Sequence, residues 1–562
     1  MYSNIPQVNL LTALLLAHGV RHAVLCPGSR NAPICHNLKA CAQIRCHAVT
    51  DERSAGFYAI GVSQANGMAP VAVCVTSGSA ILDVAPAVAE AYYQGVPLIV
   101  IAADRPASWI GQLDGQTMPQ TESLGRMVRR AVSMPEGASI EDVWYARRLV
   151  NEALAAATSG GRGPVVINVP LHEPLYEFTE EELPAVRKID VYEPKFSKRD
   201  GSLAMRITRA KRPMMIIGQT NEEIQWEALQ HISLTMPVLS EAISSIGGRA
   251  VNEAVHVLTH SALVDKSAYE PDLVVYAGGT LVSKELKAFI RQIKDCETIL
   301  ISPDGELHDV FQNTTLVIRA SLADVVANLD SQLKKKTKPC LHFAALWHLL
   351  LSDVDEICNA PTETFSQLQT VQTFAGDISQ VANSMAVRLL CMSQSDPAHC
   401  NRGINGIDGS LSTATGYAAS LPTDQFSLCA IGDLSFFYDQ NALWNKQVDG
   451  RLRILLLNNG GGGIFSKFAG LKGSPARDEI VMARHTATAE GICMQNGVER
   501  REAHSTADVE EFKAWLTENL DDNSAAPARL LEVFTDIDTD ARALREYYEN
   551  IVTAYDKGME NN

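Results

Sequence analysis

Along residues 1–185, short apolar or β-branched runs alternate with tight polar turns and helical stretches, the runs falling at 23–26, 44–49, 71–75, 97–102 and 165–169. Near-continuous apolar runs suit strands buried on both faces, so the pattern predicts a parallel sheet with helices on each side. The pattern returns twice, with strands expected at 214–217, 273–277 and 298–302, and again at 426–431, 453–457 and 530–534. Between the first and second sets lies a charged, proline-containing stretch, 178–201, and between the second and third a basic one, Lys334-Lys335-Lys336-Thr337-Lys338-Pro339. The expected fold class is therefore α/β, three open parallel-sheet domains covering 1–185, 186–338 and 339–562. No fixed-period repeat of the solenoid kind is present.

In open α/β sheets, ligands sit beyond the carboxyl ends of the strands. There the first domain places Pro27-Gly28-Ser29-Arg30, Asp51-Glu52-Arg53, Thr76-Ser77-Gly78-Ser79 and Asp104-Arg105-Pro106. Composition narrows the partners: 48 Lys and Arg against 65 Asp and Glu give a net charge of −17, which repels nucleic acid and anionic membrane surfaces. An anionic substrate would have to be met by locally gathered arginines. The apolar run at 10–16 is too short to span a bilayer, follows no basic leader-like segment and reads as a core helix. Twelve cysteines include no Cys-x-x-Cys pair, and Cys26, Cys74 and Cys429 lie in apolar runs, which points to a reducing, cytoplasmic setting. No histidine pair is singled out as a metal site, so a protein-only transition-metal centre is not expected.

The densest chemistry is Gly432-Asp433-Leu434-Ser435, followed by Asn458-Asn459 and then Gly460-Gly461-Gly462-Gly463. Each group follows an apolar strand. A carboxylate, an amide oxygen and glycine-exposed carbonyls form a hard oxygen set suited to Mg2+ that also carries phosphate, and glycines let the chain approach a diphosphate closely. At this spacing the two groups resemble the diphosphate-binding motif of thiamine diphosphate enzymes. Those enzymes also use a glutamate from the pyrimidine-binding domain, and Glu52 stands in the matching place; an acid there would equally suit a helix N-terminus.

The likeness extends to one branch, the 2-succinyl-5-enolpyruvyl-6-hydroxy-3-cyclohexene-1-carboxylate synthases of menaquinone biosynthesis. It is carried by the four turns above together with Asn383-Ser384, Val387-Arg388, Asn401-Arg402-Gly403, Gly406-Ile407-Asp408-Gly409, Gly432-Asp433-Leu434-Ser435 and Ile464-Phe465. The resemblance implies a decarboxylase/carboligase fold with pyrimidine-binding, central and diphosphate-binding domains, binding thiamine diphosphate and Mg2+ (or Mn2+). It implies Glu52 as the catalytic acid on the aminopyrimidine. Coenzyme contacts would come from Thr76, Ser77, Gly78, Ile407, Gly432, Asp433, Leu434, Ser435, Asn459 and Gly461, with Asp433, Asn459 and Gly461 holding the metal. For the dianions 2-oxoglutarate and isochorismate it implies Ser29, Arg30, Arg105, Gln116, Lys284, Ser384, Arg388, Arg402, Ile464 and Phe465, and it implies a homodimer or homotetramer. Glu285 departs from the pattern, since some relatives carry a second basic residue after Lys284. The alternatives are another thiamine diphosphate carboligase or 2-oxo acid decarboxylase, acetolactate synthase-like, and a non-catalytic α/β nucleotide-binding scaffold.

Overall fold

The computed structural model describes residues 1–562 apart from 193–195, 198, 249, 335–340, 359, 361, 394–395 and 562. Most of the basic segment expected to join the second and third domains lies outside the described residues. Three wholly parallel sheets are present. The first contains β1 (His22–Leu25), β2 (Arg45–Ala48), β3 (Val71–Val75), β4 (Leu98–Asp104), β5 (Arg130–Ser133) and β6 (Val165–Pro170), in the order β2-β1-β3-β4-β6-β5. The second contains β7 (Pro213–Ile217), β8 (Val238–Ser240), β9 (Leu273–Ala277), β10 (Glu297–Ile301) and β11 (Thr314–Ile318), in the order β11-β10-β9-β7-β8. The third contains β12 (Ile378–Val381), β13 (His399–Cys400), β14 (Ser427–Gly432), β15 (Leu452–Asn458), β16 (Glu499–Ala503) and β17 (Arg529–Phe534), in the order β13-β12-β14-β15-β17-β16.

Strand alternation divides each central run between two cores. In the first sheet Ala72, Cys74, Ile99 and Ile101 face one apolar cluster, while Val71, Val73, Val75, Leu98 and Val100 face the other. Both faces are covered, so these strands read as unbroken apolar runs. The missed strands differ in kind. β5, β8, β11, β13 and β16 are all sheet edges; β5 and β16 carry charge (Arg130; Glu499, Arg500, Arg501, Glu502), and β8 and β13 span only three and two residues, both usual means of blunting a sheet edge. β12 reads Ile-Ser-Gln-Val, too polar for the apolar-run criterion.

Two contacts between domains position the site. The second and third domains share one apolar core, in which Leu258, Phe289, Trp347, Val371, Leu390 and Tyr547 belong to a single cluster. The first and third domains meet where helix Glu52–Ala65 crosses helix Ser410–Ser420. A Cβ on Gly61 would overlap the Thr413 carbonyl and one on Gly416 the Tyr58 carbonyl, so glycines at both positions allow the backbones to touch. No helix among the described residues is long and apolar enough to cross a membrane.

Candidate active site

The first group of expected residues gathers at the carboxyl end of the first sheet. Helix Glu52–Ala65 is capped by Asp51, whose Oδ1 accepts the N–H groups of Arg53 at 2.9 Å and Ser54 at 3.3 Å. The cap is therefore Asp51, and Glu52 is not needed for it. Glu52 is half-buried, and desolvation, reinforced by Asp83 and Asp51, raises its carboxyl pKa above the usual range. Thr76 and Ser77 are buried; Gly78, at φ +90°, packs against the backbone of Gln116 and donates its N–H to Gln120 Oε1 at 2.7 Å. Ser29 is exposed. Arg30 is buried, donating to the Leu171 carbonyl at 3.1 Å and pairing with Glu173 at 3.2 Å. Arg105 pairs with Asp114 at 3.1 Å and donates to the Gly115 carbonyl at 3.0 Å.

The second group forms a cradle at the ends of β14 and β15. Gly432 ends β14, and Asp433 begins helix Asp433–Tyr438, which also carries Leu434 and Ser435. Asp433 is 4% exposed; its Oδ1 accepts the Leu434 N–H at 2.7 Å and its Oδ2 the Gly461 N–H at 3.0 Å. The Asp433 carboxylate also lies 3.3 Å from His485 Nε2 and raises the pKa of that imidazole. Gly461 has φ +149°, and a Cβ there would come within 2.7 Å of the Met482 carbonyl, so only glycine fits. Around Gly432 the space a side chain would fill is open. Asn459 donates from Nδ2 to Asp540 Oδ2 at 2.9 Å. This donor set of carboxylate, amide oxygen and glycine carbonyl, with open room beside Gly432, fits a hard divalent cation carrying a diphosphate.

Part of the third group lines a cavity of about 370 Å³ between the second and third domains, whose wall includes Asn459, Ile464, Lys284 and Arg388. One residue of the cradle, Asn459, thus faces the same space as the cations Lys284 and Arg388. Ser384 sits at φ +69° just before helix Met385–Cys391, and its carbonyl accepts from Arg388 Nη1. Burial, then the neighbouring Arg402, lowers the pKa of the Arg388 guanidinium. Arg402 is buried and donates to Asn383 Oδ1 at 3.3 Å. Its turn is held from the first domain: the Glu90 carboxylate accepts the N–H groups of Gly403 at 2.6 Å and Ile404 at 2.9 Å. Ile407, on the same turn, is 41% exposed. Phe465 stands beside Ile464, its ring against Gly462 and Phe468.

Among the described residues, the first group meets the second through the neighbours of Glu52 rather than through Glu52 itself. The Glu52 side chain forms no hydrogen bond or ion pair with Asp433, Asn459 or Gly461. Its neighbours instead meet the far end of the Asp433 helix: Arg53 Nη2 donates to the Tyr438 carbonyl at 3.1 Å, and Asn441 Nδ2 donates to Asp51 Oδ2 at 2.8 Å. The cavity also contains residues that no motif marks, namely Glu241, Asn252, Asp540, Arg545 and Tyr548. Glu241 follows directly on β8, so the strand-end rule would have found it had three residues been enough to show a strand. The carboxylate of Glu241 accepts Val282 N–H and Ser283 N–H, each at 2.6 Å, and so fixes the start of the helix bearing Lys284.

Comparison with known proteins decides the family. Residues 8–124 match the model of the N-terminal thiamine pyrophosphate-binding domain of thiamine pyrophosphate enzymes. The 2-succinyl-5-enolpyruvyl-6-hydroxy-3-cyclohexene-1-carboxylate synthase of Phocaeicola vulgatus is 39% identical, over 98% of this chain and 99% of its own length. The chain belongs to that synthase family. Proteins of the same name from Bacteroides fragilis, 39% identical, and Flavobacterium johnsoniae, 31% identical, each align over 98% of this chain and the whole of their own. As a member of the synthase family it is a thiamine diphosphate-dependent transferase of menaquinone biosynthesis. The three parallel-sheet domains are those expected of such an enzyme.

Proposed function

We propose that the protein decarboxylates 2-oxoglutarate with thiamine diphosphate and Mg2+ or Mn2+ and adds the remaining four-carbon unit to isochorismate in a 1,4 sense, releasing CO2. The observation that carries this reading is the cavity in which Asn459, Arg388 and Lys284 share one wall. The bound coenzyme would supply a nucleophilic carbon and then an electron sink for the loss of CO2. Asp433, the Asn459 amide oxygen and the Gly461 carbonyl would hold the metal, with Gly432, Leu434 and Ser435 beside the diphosphate. Glu52, with its raised pKa, would hold a proton against the aminopyrimidine ring nitrogen, and Thr76, Ser77 and Gly78 would line that ring. Exposed Ile407 would support the bend between the coenzyme's rings.

Arg388 and Arg402, whose burial makes an arriving carboxylate a favourable partner, would receive the substrates with Lys284, Arg30, Arg105, Gln116, Ser29 and Ser384. Ile464 and Phe465 would wall the ring substrate from water. As the family resemblance implies, the complete site would form between protomers of a homodimer; a homotetramer would pair two of them. The domains would divide near residues 185 and 338, and the setting would be cytoplasmic, without nucleic-acid or membrane partners.

An acetolactate synthase-like reading is disfavoured by the gathering of cations, because pyruvate carries one carboxylate. A scaffold without activity would have no use for the cradle together with a half-buried Glu52. Product mass after mixing protein, coenzyme, Mg2+, 2-oxoglutarate and isochorismate tests the reading, and preference for pyruvate as donor would overturn it. Glu52→Gln is expected to slow CO2 release by about 10²- to 10⁴-fold while coenzyme binding persists; undiminished turnover would reject the role of Glu52.

A further inference from the structure

Asn459 can serve a cation only through its amide oxygen, so something must decide which end of that amide faces the cradle. Asn459 Nδ2 donates to Asp540 Oδ2 at 2.9 Å. Asp540, in the first turn of helix Ile537–Asn561, also accepts Thr535 Oγ1 at 2.8 Å and the Gln367 N–H at 2.9 Å. Three separate segments therefore hold this carboxylate in place. A second observation constrains the same amide from another side. A Cβ on Gly463 would lie 2.8 Å from Asn459 Nδ2 but 3.7 Å from Oδ1, so the nitrogen occupies the close space between Gly463 and Asp540. Turning the amide over would set its oxygen against the Asp540 carboxylate with no proton between two acceptors.

We propose that Asp540 is the positioning residue of the metal cradle, holding Asn459 by its nitrogen so that Oδ1 is presented to the divalent cation shared with Asp433 and Gly461. The proposal rests on Asn459 being a metal ligand, as proposed above. Partners of this kind fix the orientation of a ligand, and their removal commonly weakens metal binding by about 10- to 100-fold.

The test titrates the full-length protein, at saturating thiamine diphosphate, with Mn2+ and follows bound metal by electron paramagnetic resonance. Asp540→Ala is expected to weaken Mn2+ binding by about 10- to 100-fold, and Gly463→Ala, which crowds the same nitrogen, to weaken it in the same direction. Thr535→Val removes one of the three donors that hold the Asp540 carboxylate and is expected to weaken Mn2+ binding less than Asp540→Ala does. Asn459→Asp alone sets two carboxylates face to face. Combined with Asp540→Asn, it restores one donor and one acceptor with their places exchanged, and the double variant is expected to bind Mn2+ more tightly than either single one. A purely structural Asp540 predicts no such recovery.

Asn459→Ala separates the two ideas. Unchanged Mn2+ affinity there would refute the ligand assignment itself, whereas weakened affinity with Asp540→Ala and Gly463→Ala both unaffected would overturn the positioning role alone. Should Asp540→Ala fail to fold, Gly463→Ala and the exchanged pair decide the matter: recovery in the double variant supports the proposal, and its absence rejects it.

Discussion

The Glu90 carboxylate of the first domain accepts the backbone N–H of Gly403 in the third at 2.6 Å, across 313 residues of sequence. Its second oxygen takes the Ile404 N–H at 2.9 Å, and Gly403 sits so close to Glu90 that a Cβ there would come within 3.0 Å of the Glu90 carbonyl. One buried acid therefore pins the turn that carries both Arg402 and Ile407.

Glu90→Ala leaves two N–H groups without their acceptor, at about 1–3 kcal/mol each where water cannot replace it. Equilibrium denaturation should show that loss. Glu90→Gln keeps one acceptor oxygen and turns a donor toward the other N–H, so it too should destabilise. Both variants should raise KM for the dianionic substrates, because Arg402 moves with the turn. Denaturation and KM values matching wild type would mean that the turn holds itself.

Much of the scaffold can be read in the chain, for a physical reason. β3 and β9 are buried on both faces, and the apolar runs predict them with the same bounds as observed. β8 and β13 are too short to show a period, and β5 and β16 carry the charges that protect sheet edges. The cradle is legible because Asp433, Asn459 and the glycines lie close along the chain at strand ends. Glu90, Glu241 and Asp540 are not, since each acts on a partner brought near only by tertiary packing, and an isolated acid in a helix or loop has no distinguishing neighbour in sequence.

Glu253, on helix Val251–His260, is wholly buried between the second and third domains, and burial pushes its carboxyl up to about 8 from 4.5. In the unfolded chain the same acid ionises near its ordinary value. Between the two values the native state holds a proton that the unfolded state has released, so stability is fullest below the unfolded value and falls as pH rises toward about 8. The slope due to this group approaches about 1.4 kcal/mol per pH unit in mid-window. Glu253→Gln keeps the shape without the proton equilibrium. Urea unfolding at intervals from about pH 5 to about pH 8 should show similar stability at the acid end and an increasing advantage for the variant toward the alkaline end; parallel curves would mean that Glu253 is not the titrating group.

The crossing of helices Glu52–Ala65 and Ser410–Ser420 sets two opposing effects against each other at Gly61. Alanine is the better helix former by about 1 kcal/mol, yet its Cβ would overlap the Thr413 carbonyl, which belongs to backbone and cannot swing aside. Overpacking of this kind costs about 1–3 kcal/mol, so the steric effect prevails and Gly61→Ala should destabilise. Gly491, near the start of helix Glu490–Asn496, has nothing within 4 Å of where a Cβ would lie, and Gly491→Ala should stabilise slightly instead. Separating the helices also shifts Asp51 and Arg53 from Asn441 and Tyr438, so Gly61→Ala should lower turnover while Gly491→Ala leaves it unchanged. Denaturation midpoints and turnover measured side by side check both; equal stability of Gly61→Ala and wild type would show that the two backbones do not touch.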